Sequence, residues 1–134
     1  MYFVYKFIDS KDEVIYVGKT KVGIRNRINQ HFSNSGHLSK ECYRQVQRIE
    51  YQTIPNKLEM DIKELYYIGK WKPKYNTINN YKEEEFTLKI VEENDWEHLK
   101  FENPFYAPTP VRTWYKSMEE LEKAIEKDLE HFVL

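Results

Sequence analysis

Tyr2-Phe3-Val4-Tyr5-Lys6-Phe7-Ile8 is followed, after Asp9-Ser10-Lys11-Asp12, by Val14-Ile15-Tyr16-Val17-Gly18. Both apolar runs consist mainly of aromatic and β-branched residues, which suit a pleated, half-buried surface. The polar residues between them have turn chemistry, so the pair reads as a β-hairpin whose second strand ends at Gly18. Everything downstream has to pack on that hairpin.

From Gly23 to Phe32 the period changes from two to a helical one, with Ile24, Ile28 and Phe32 forming an apolar stripe. Ser33-Asn34-Ser35-Gly36 breaks it. A short helix is expected over 38–44, and a third strand over 46–54, ending before Pro55. Residues 57–71 predict a longer helix. On its wheel Leu58, Ile62 and Leu65 form the expected core stripe, while Glu59, Lys63 and Lys70 share the opposite, solvated face. Glu64 falls instead between Met60, Ile68 and Trp71, with Asp61 nearby. A carboxylate among apolar neighbours is costly unless a cation or hydrogen bonds compensate it.

After Asn79-Asn80 the composition shifts. Residues 86–91 are expected as an added strand, and 103–110, with three prolines, as an extended aromatic loop. Ser117-Met118-Glu119-Glu120 has the form of a capping box. It opens an amphipathic terminal helix with Met118, Leu121, Ile125, Leu129 and Phe132 on one side. Such a helix packs on its own domain or, in a second reading, against another copy of the chain. The expected fold is therefore α+β: a small central antiparallel sheet of three strands flanked by helices, with a C-terminal extension ending in an amphipathic helix. Residues 1–80 form the main domain and 81–134 an acidic extension or subdomain packed on it.

The net charge of −1 conceals a division. Residues 1–80 hold 14 Lys and Arg against 8 Asp and Glu, a balance of +6, whereas 81–134 hold 7 against 14, a balance of −7. The basic part can neutralise phosphates. The acidic part reads as a solvated face, a surface for a protein partner, or a mask over the basic part, and residues alone leave these open. Cys42 is the only cysteine, which excludes an intrachain disulfide and a thiolate zinc cluster. No apolar run approaches a membrane span and the N-terminus lacks a signal-peptide pattern, so a soluble intracellular protein is expected.

Several residue types on this scaffold suit phosphate chemistry. Arg27 and His31 are four apart and project from one helical face. A guanidinium offers a fixed fork of donors to a phosphate, and an imidazole takes or relays a proton near neutral pH. Glu64 is a natural ligand for a hard cation such as Mg²⁺, which needs few carboxylates because it keeps much of its water. Tyr5 and Tyr16 would face each other across the hairpin. A free tyrosine ionises near pH 10, so use as a base requires a depressed value or a relay through His31. Lys19 follows Gly18 and is placed to contact phosphate, with Lys21 and Arg25 as further nucleic-acid-binding candidates, although Arg25 points to a different side from Arg27. Asn76, closing Lys72-Pro73-Lys74-Tyr75-Asn76, is expected to orient the loop after the glutamate helix through side-chain hydrogen bonds.

The ordered set Tyr5, Tyr16-Val17-Gly18, Arg27, His31, Glu64 and Asn76 resembles the GIY-YIG nuclease superfamily over roughly residues 2 to 78. Arg27 and His31 lie nine and thirteen residues after Gly18, and Asn76 twelve after Glu64, spacings similar to the family's. The resemblance implies a metal-dependent endonuclease using Mg²⁺ or Mn²⁺ and acting on nucleic acid, with DNA the expected substrate. It implies that Glu64 holds the metal, that Tyr5 helps activate the water, that Tyr16 positions water or phosphate, and that Asn76 is an active-site position. Phe3-Val4-Tyr5 departs from the family's first motif by losing its glycine and isoleucine but keeps the tyrosine. Asn26 stands where some members have a basic residue. A literal Tyr67-Ile68-Gly69 lies in the glutamate helix, where it cannot serve as part of the hairpin. The alternative is a catalytically weak module of the same fold that binds nucleic acid or protein. A homodimer or a protein partner on the acidic segment is compatible with either.

Overall fold

The computed structural model describes residues 1–90 and 95–107. The expected terminal helix and its capping box lie outside these residues. Strands β1 (Tyr2–Ile8) and β2 (Val14–Thr20) form the hairpin. Its turn is held by the Asp9 carboxylate, which accepts the backbone N–H of Lys11 and of Glu13, each at 3.0 Å. A bulge between Phe7 and Ile8 leaves Ile15 unpaired, as Phe7 faces Tyr16 and Ile8 faces Val14.

Helix α1 (Ile24–His31) and the short α2 (Lys40–Gln45) follow, α2 being capped by the Ser39 hydroxyl on Cys42 N at 3.2 Å. Strand β3 (Arg48–Ile54) runs antiparallel to β1 on the side away from β2. Helix α3 (Lys57–Trp71) begins with a reciprocal cap in which Asn56 Oδ1 accepts Glu59 N–H and Asn56 Nδ2 donates to the Glu59 carboxylate, both at 2.9 Å. It ends at Lys72 in the left-handed region, ahead of Pro73.

The sheet separates two cores because successive strand residues point to opposite faces. Tyr5, Phe7, Ile28, Cys42, Ile49 and Leu99 pack on the side of α1 and α2. Val4, Val17, Ile54, Met60, Tyr67 and Ile68 pack on the side of α3.

The three expected strands form the centre of an antiparallel sheet of order β2-β1-β3-β4, to which the extension adds the short β4 (Glu97–His98). Two other expectations are corrected. Residues 86–90 form no strand; Phe86 lies instead over Gly69 and against Tyr66, so its side chain joins the α3 core while its backbone stays outside the sheet. Helix α3 is turned the other way from the wheel reading. Leu58, Ile62 and Leu65 are exposed, and Lys63, placed on the solvated face, is buried. The stripe Met60, Glu64, Tyr67, Trp71 faces inward because its aromatic rings cover more surface than three aliphatic chains can. Tyr67 stacks on Trp71 at 4.8 Å and donates its hydroxyl to the buried Gln52 at 3.0 Å.

Gly18 faces Tyr5 in the hairpin register, and the Tyr5 ring lies directly on it. A Cβ there would overlap the ring, whereas one at Gly23 would meet nothing closer than Asn26 Nδ2 at 3.9 Å. We predict that Gly18→Ala destabilises the protein by about 1–3 kcal/mol through overpacking, and Gly23→Ala by less than about 1 kcal/mol. Urea midpoints will check this; equal losses at both glycines would contradict the close approach.

Candidate active site

Strand alternation along β2 divides the site between the two faces of the sheet. Tyr16 points to the α1 side with Tyr5, their ring centroids 6.3 Å apart, while Lys19 points to the α3 side. The halves meet at the free edge of β2, because the chain leaving α3 turns back along that edge. There Tyr75 N–H donates to Ile15 O at 3.0 Å. The buried Asn76 carboxamide takes Val17 N–H on Oδ1 at 2.8 Å and gives Nδ2–H to Val17 O at 2.9 Å. The expected hydrogen-bonding task of Asn76 is thus visible, and both its polar atoms are occupied. A cleft of about 270 Å³ opens there, with Tyr16, His37, Glu64, Tyr75 and Asn76 among its lining residues.

On the α1 wall a buried chain of hydrogen bonds leads away from the cleft. Arg27 Nε–H donates to the Tyr5 hydroxyl at 3.3 Å. The Tyr5 hydroxyl hydrogen-bonds His31 Nε2 at 2.7 Å, and His31 Nδ1 hydrogen-bonds the Tyr43 hydroxyl at 2.8 Å. Tyr43 also accepts Leu38 N–H at 3.2 Å. With both ring nitrogens engaged, a neutral imidazole donates through one of them and accepts through the other. Burial, reinforced by the Arg27 charge and by His37, pushes the His31 pKa down to about 3. Burial pushes Tyr5 up to about 12, although the Arg27 hydrogen bond and charge act in the other direction. Tyr16 is likewise raised above its ordinary value, first by burial and then by Tyr5.

On the α3 wall Glu64 is partly buried, and burial raises its pKa while the Lys19 ammonium acts to lower it. Lys19 Nζ lies 2.8 Å from Asp61 and 3.5 Å from Glu64, and Lys57 holds the other Asp61 oxygen at 2.8 Å. Lys19 therefore belongs chiefly to Asp61, which leaves Glu64 with half a counter-ion. Among the described residues no three His, Cys, Asp or Glu side chains gather into a metal cage. The donor set available to a cation is the single Glu64 carboxylate at an open cleft that Tyr16 also lines, which fits a hydrated Mg²⁺ or Mn²⁺.

The structure thus brings Tyr16, Glu64 and Asn76 to one cleft, with Lys19 3.5 Å from Glu64 and Tyr5, Arg27 and His31 behind its α1 side. It does not bring Arg25 there: Arg25 donates from Nη2 to Lys100 O at 3.1 Å, on the side of the extension. Lys21 is exposed just after β2. His37, Tyr43 and the engagement of Asp61 with Lys19 were missed by sequence reasoning. His37 sits in a loop with no periodicity, where only its distance in sequence from His31 could have drawn notice.

The family described as GIY-YIG catalytic domain matches residues 1–79. The chain is similar to UvrABC system protein C of Francisella tularensis subsp. holarctica, at 39% identity over 77 residues, covering 56% of this chain and 12% of that protein. It is 40% identical over 78 residues to UvrABC system protein C of Clostridium tetani, with the same coverage of both. For the protein of that name from Clostridium beijerinckii the identity is 32% over 119 residues, covering 80% of this chain and 19% of the relative. The chain therefore spans less than a fifth of the length of these relatives.

The hydrogen-bond chain yields a direct test. A group with a folded pKa of about 3 against 6.5 unfolded resists protonation in the native state, so stability is lost as pH falls through that window. We predict that the His31 ring stays neutral and in a single tautomer in nitrogen-detected NMR from roughly pH 8 down to roughly pH 4. A titration near the ordinary histidine value would show that the chain through Tyr5 and Tyr43 is not formed.

Proposed function

The chain belongs to the GIY-YIG catalytic-domain family, and from that premise we propose that it is a metal-dependent endonuclease hydrolysing phosphodiester bonds in nucleic acid, with DNA as substrate. The observation that supports this best is the cleft at the β2 edge, lined by both a partly buried, half-compensated glutamate, Glu64, and Tyr16. Hydrolysis at phosphorus needs an oriented water, neutralisation of the phosphoryl oxygens and relief of charge on the leaving oxygen.

Glu64 is the residue that would hold the cation, and a bound Mg²⁺ or Mn²⁺ would supply Lewis-acid stabilisation of the phosphoryl and leaving oxygens. Arg27 is anchored by Nε on Tyr5 and by Nη1 on Gln30 at 3.4 Å, so its fork is held in place before substrate arrives. It serves as the phosphate clamp. Tyr16 lies at the cleft surface and contacts the attacking water. Tyr5, wholly buried, orients Arg27 and His31. Lys19 and Lys21 meet the nucleic-acid backbone beside β2. DNA is favoured over RNA by the family resemblance alone.

If Glu64 holds the metal, Glu64→Gln should abolish nicking of supercoiled plasmid while leaving fold and nucleic-acid affinity nearly intact, because the amide keeps the shape and loses the charge. Glu59→Gln, at the exposed start of α3, should be almost silent, and chelation with EDTA should match Glu64→Gln. Equal losses at both glutamates would sink the assignment. A binding module without catalysis would show unchanged affinity and no metal-dependent cleavage in any variant.

For the clamp, Arg27→Lys should slow single-turnover cleavage by roughly 10²-fold or more, since a point charge cannot reproduce a bidentate contact. Arg25→Lys, on the side of the extension, should cost far less. Similar losses from the two changes would mean that Arg27 is not the phosphate ligand.

A further inference from the structure

We propose that His37 is the proton acceptor for the Tyr16 hydroxyl during water attack, so that the relay serving the reaction runs from Tyr16 through His37 to solvent and not through His31. The proposal rests on the nuclease reading above. Two histidine rings lie near the cleft, tilted at 41° with centroids 5.0 Å apart, and their surroundings suit them to different tasks. His31 is buried, with Nε2 and Nδ1 both engaged by tyrosine hydroxyls. A proton accepted there would have no exit. Tyr5 is no better placed, because its hydroxyl is engaged by both Arg27 and His31 and its side chain is fully buried.

Tyr16 and His37 have what the inner pair lacks. Among the described residues the Tyr16 hydroxyl has one hydrogen-bonding partner, His37 Nε2 at 3.5 Å. The contact is long, as catalytic hydrogen bonds in unliganded enzymes often are. Both side chains line the cleft with Glu64, and the His37 ring is exposed, so protons can leave. The loop is built to hold that ring in place. Gly36 packs so closely on the His31 backbone carbonyl and the Tyr43 ring that no Cβ would fit, and this approach carries His37 back over the cleft. The groups facing His37 are Tyr16 from β2, His31 and Arg27 from α1, Glu64 from α3 and Tyr75 from the following loop. Partial burial and the Arg27 charge lower its pKa, which keeps the ring neutral and able to accept a proton at neutral pH.

The step balances without a further reactant. A water oxygen forms the new bond to phosphorus as the bond to the leaving oxygen breaks. The water proton passes to the Tyr16 oxygen while the Tyr16 proton passes to His37 Nε2. The leaving oxygen takes a proton from solvent, and the imidazolium returns one. Without the acceptor, Tyr16 would have to release its proton against a raised pKa.

The test is single-turnover cleavage of supercoiled plasmid with Mg²⁺ by wild type, His37→Ala and Tyr16→Phe, singly and combined, across pH. We expect His37→Ala to slow cleavage on the order of 10²-fold at neutral pH with unchanged plasmid affinity. Added imidazole should restore part of the rate. The wild-type rate should fall with acid around a midpoint below the ordinary histidine value, and in His37→Ala that limb should give way to a rate rising continuously with pH. The double variant should lose little more than either single one. A rate within twofold of wild type, or a loss with no imidazole rescue and an unaltered pH profile, overturns the proposal.

Proton titration of His37 by NMR supplies a readout independent of cleavage. Tyr16→Phe should raise the His37 pKa, because the bond to the neutral ring is lost. If wild type does not cut while that coupling is present, the nuclease reading fails and the relay falls with it. If wild type cuts and the coupling is absent, the relay alone is wrong.

Discussion

The site depends on one side chain's grip on the backbone of one residue. The Asn76 carboxamide matches the donor and acceptor of Val17 in the manner of a neighbouring strand, satisfying backbone groups that an edge strand would otherwise leave open. Because the contact is two-point, it fixes orientation as well as distance. The segment after α3 is thereby held against β2, and Tyr75 N–H on Ile15 O extends the grip. Glu64 and Tyr16 line one cleft because the helix that bears the glutamate and the strand that bears the tyrosine are joined at this seam. An aspartate could accept from Val17 N–H, but it has no hydrogen to give to Val17 O, which is why the amide suits the position.

The hairpin, α1, α2, β3 and α3 were legible in the residues because each has a local cause: strand-forming runs around a turn, an i, i+4, i+8 stripe, and breaks at Ser33–Gly36 and Pro55. The orientation of α3 was not. Its two competing stripes have similar apolar content, and the choice is made by long-range partners, namely Gln52 for the Tyr67 hydroxyl and Trp96 at 5.0 Å from the Tyr67 ring. Glu64 was still found correctly between Met60 and Ile68, since that inference concerned its neighbours on the helix and not which stripe faces inward. The strand at 97–98 escaped notice because two residues carry no period. Of the site, Tyr16, Glu64 and Asn76 were legible as a spaced set, whereas their union at a sheet edge depends on topology. His37 was invisible for the same reason.

The cluster at the α1 wall follows from burial. Tyr5 lies on Gly18 in the central strand, and a buried hydroxyl must find a partner. It finds Arg27 as donor and His31 Nε2 as a second partner, and His31 Nδ1 is in turn engaged by Tyr43. Such a chain is rigid because no member can turn without stranding another. The same rigidity withdraws His31 from proton exchange, since a ring whose nitrogens are both committed in a dry environment is a support and not a base. Placement of a mobile proton is left to groups on the wet side of Tyr16.

The opposite edge of the sheet is closed by the extension, which crosses from one core to the other. Trp96 packs with Tyr67 and Trp71 on the α3 side and covers Lys6 Nζ at 4.1 Å, while Glu50 holds that ammonium at 3.2 Å. Two residues of β4 pair with Glu50 and Tyr51. Leu99 and Phe101 then enter the α1 core, Phe101 at 4.6 Å from Phe32, and Asn103 Nδ2 donates to Val46 O at 2.8 Å. A strap anchored on both faces holds them together at the edge away from the cleft, as Asn76 does at the edge beside it. Residues 95–107 are thus part of the fold that positions Arg27 and His31: Phe101 packs on Phe32, the residue directly after His31. Any influence of this segment on nucleic-acid binding acts through that packing as well as through its charge, and only substitutions at its exposed acidic positions, such as Asp95 and Glu102, separate the two.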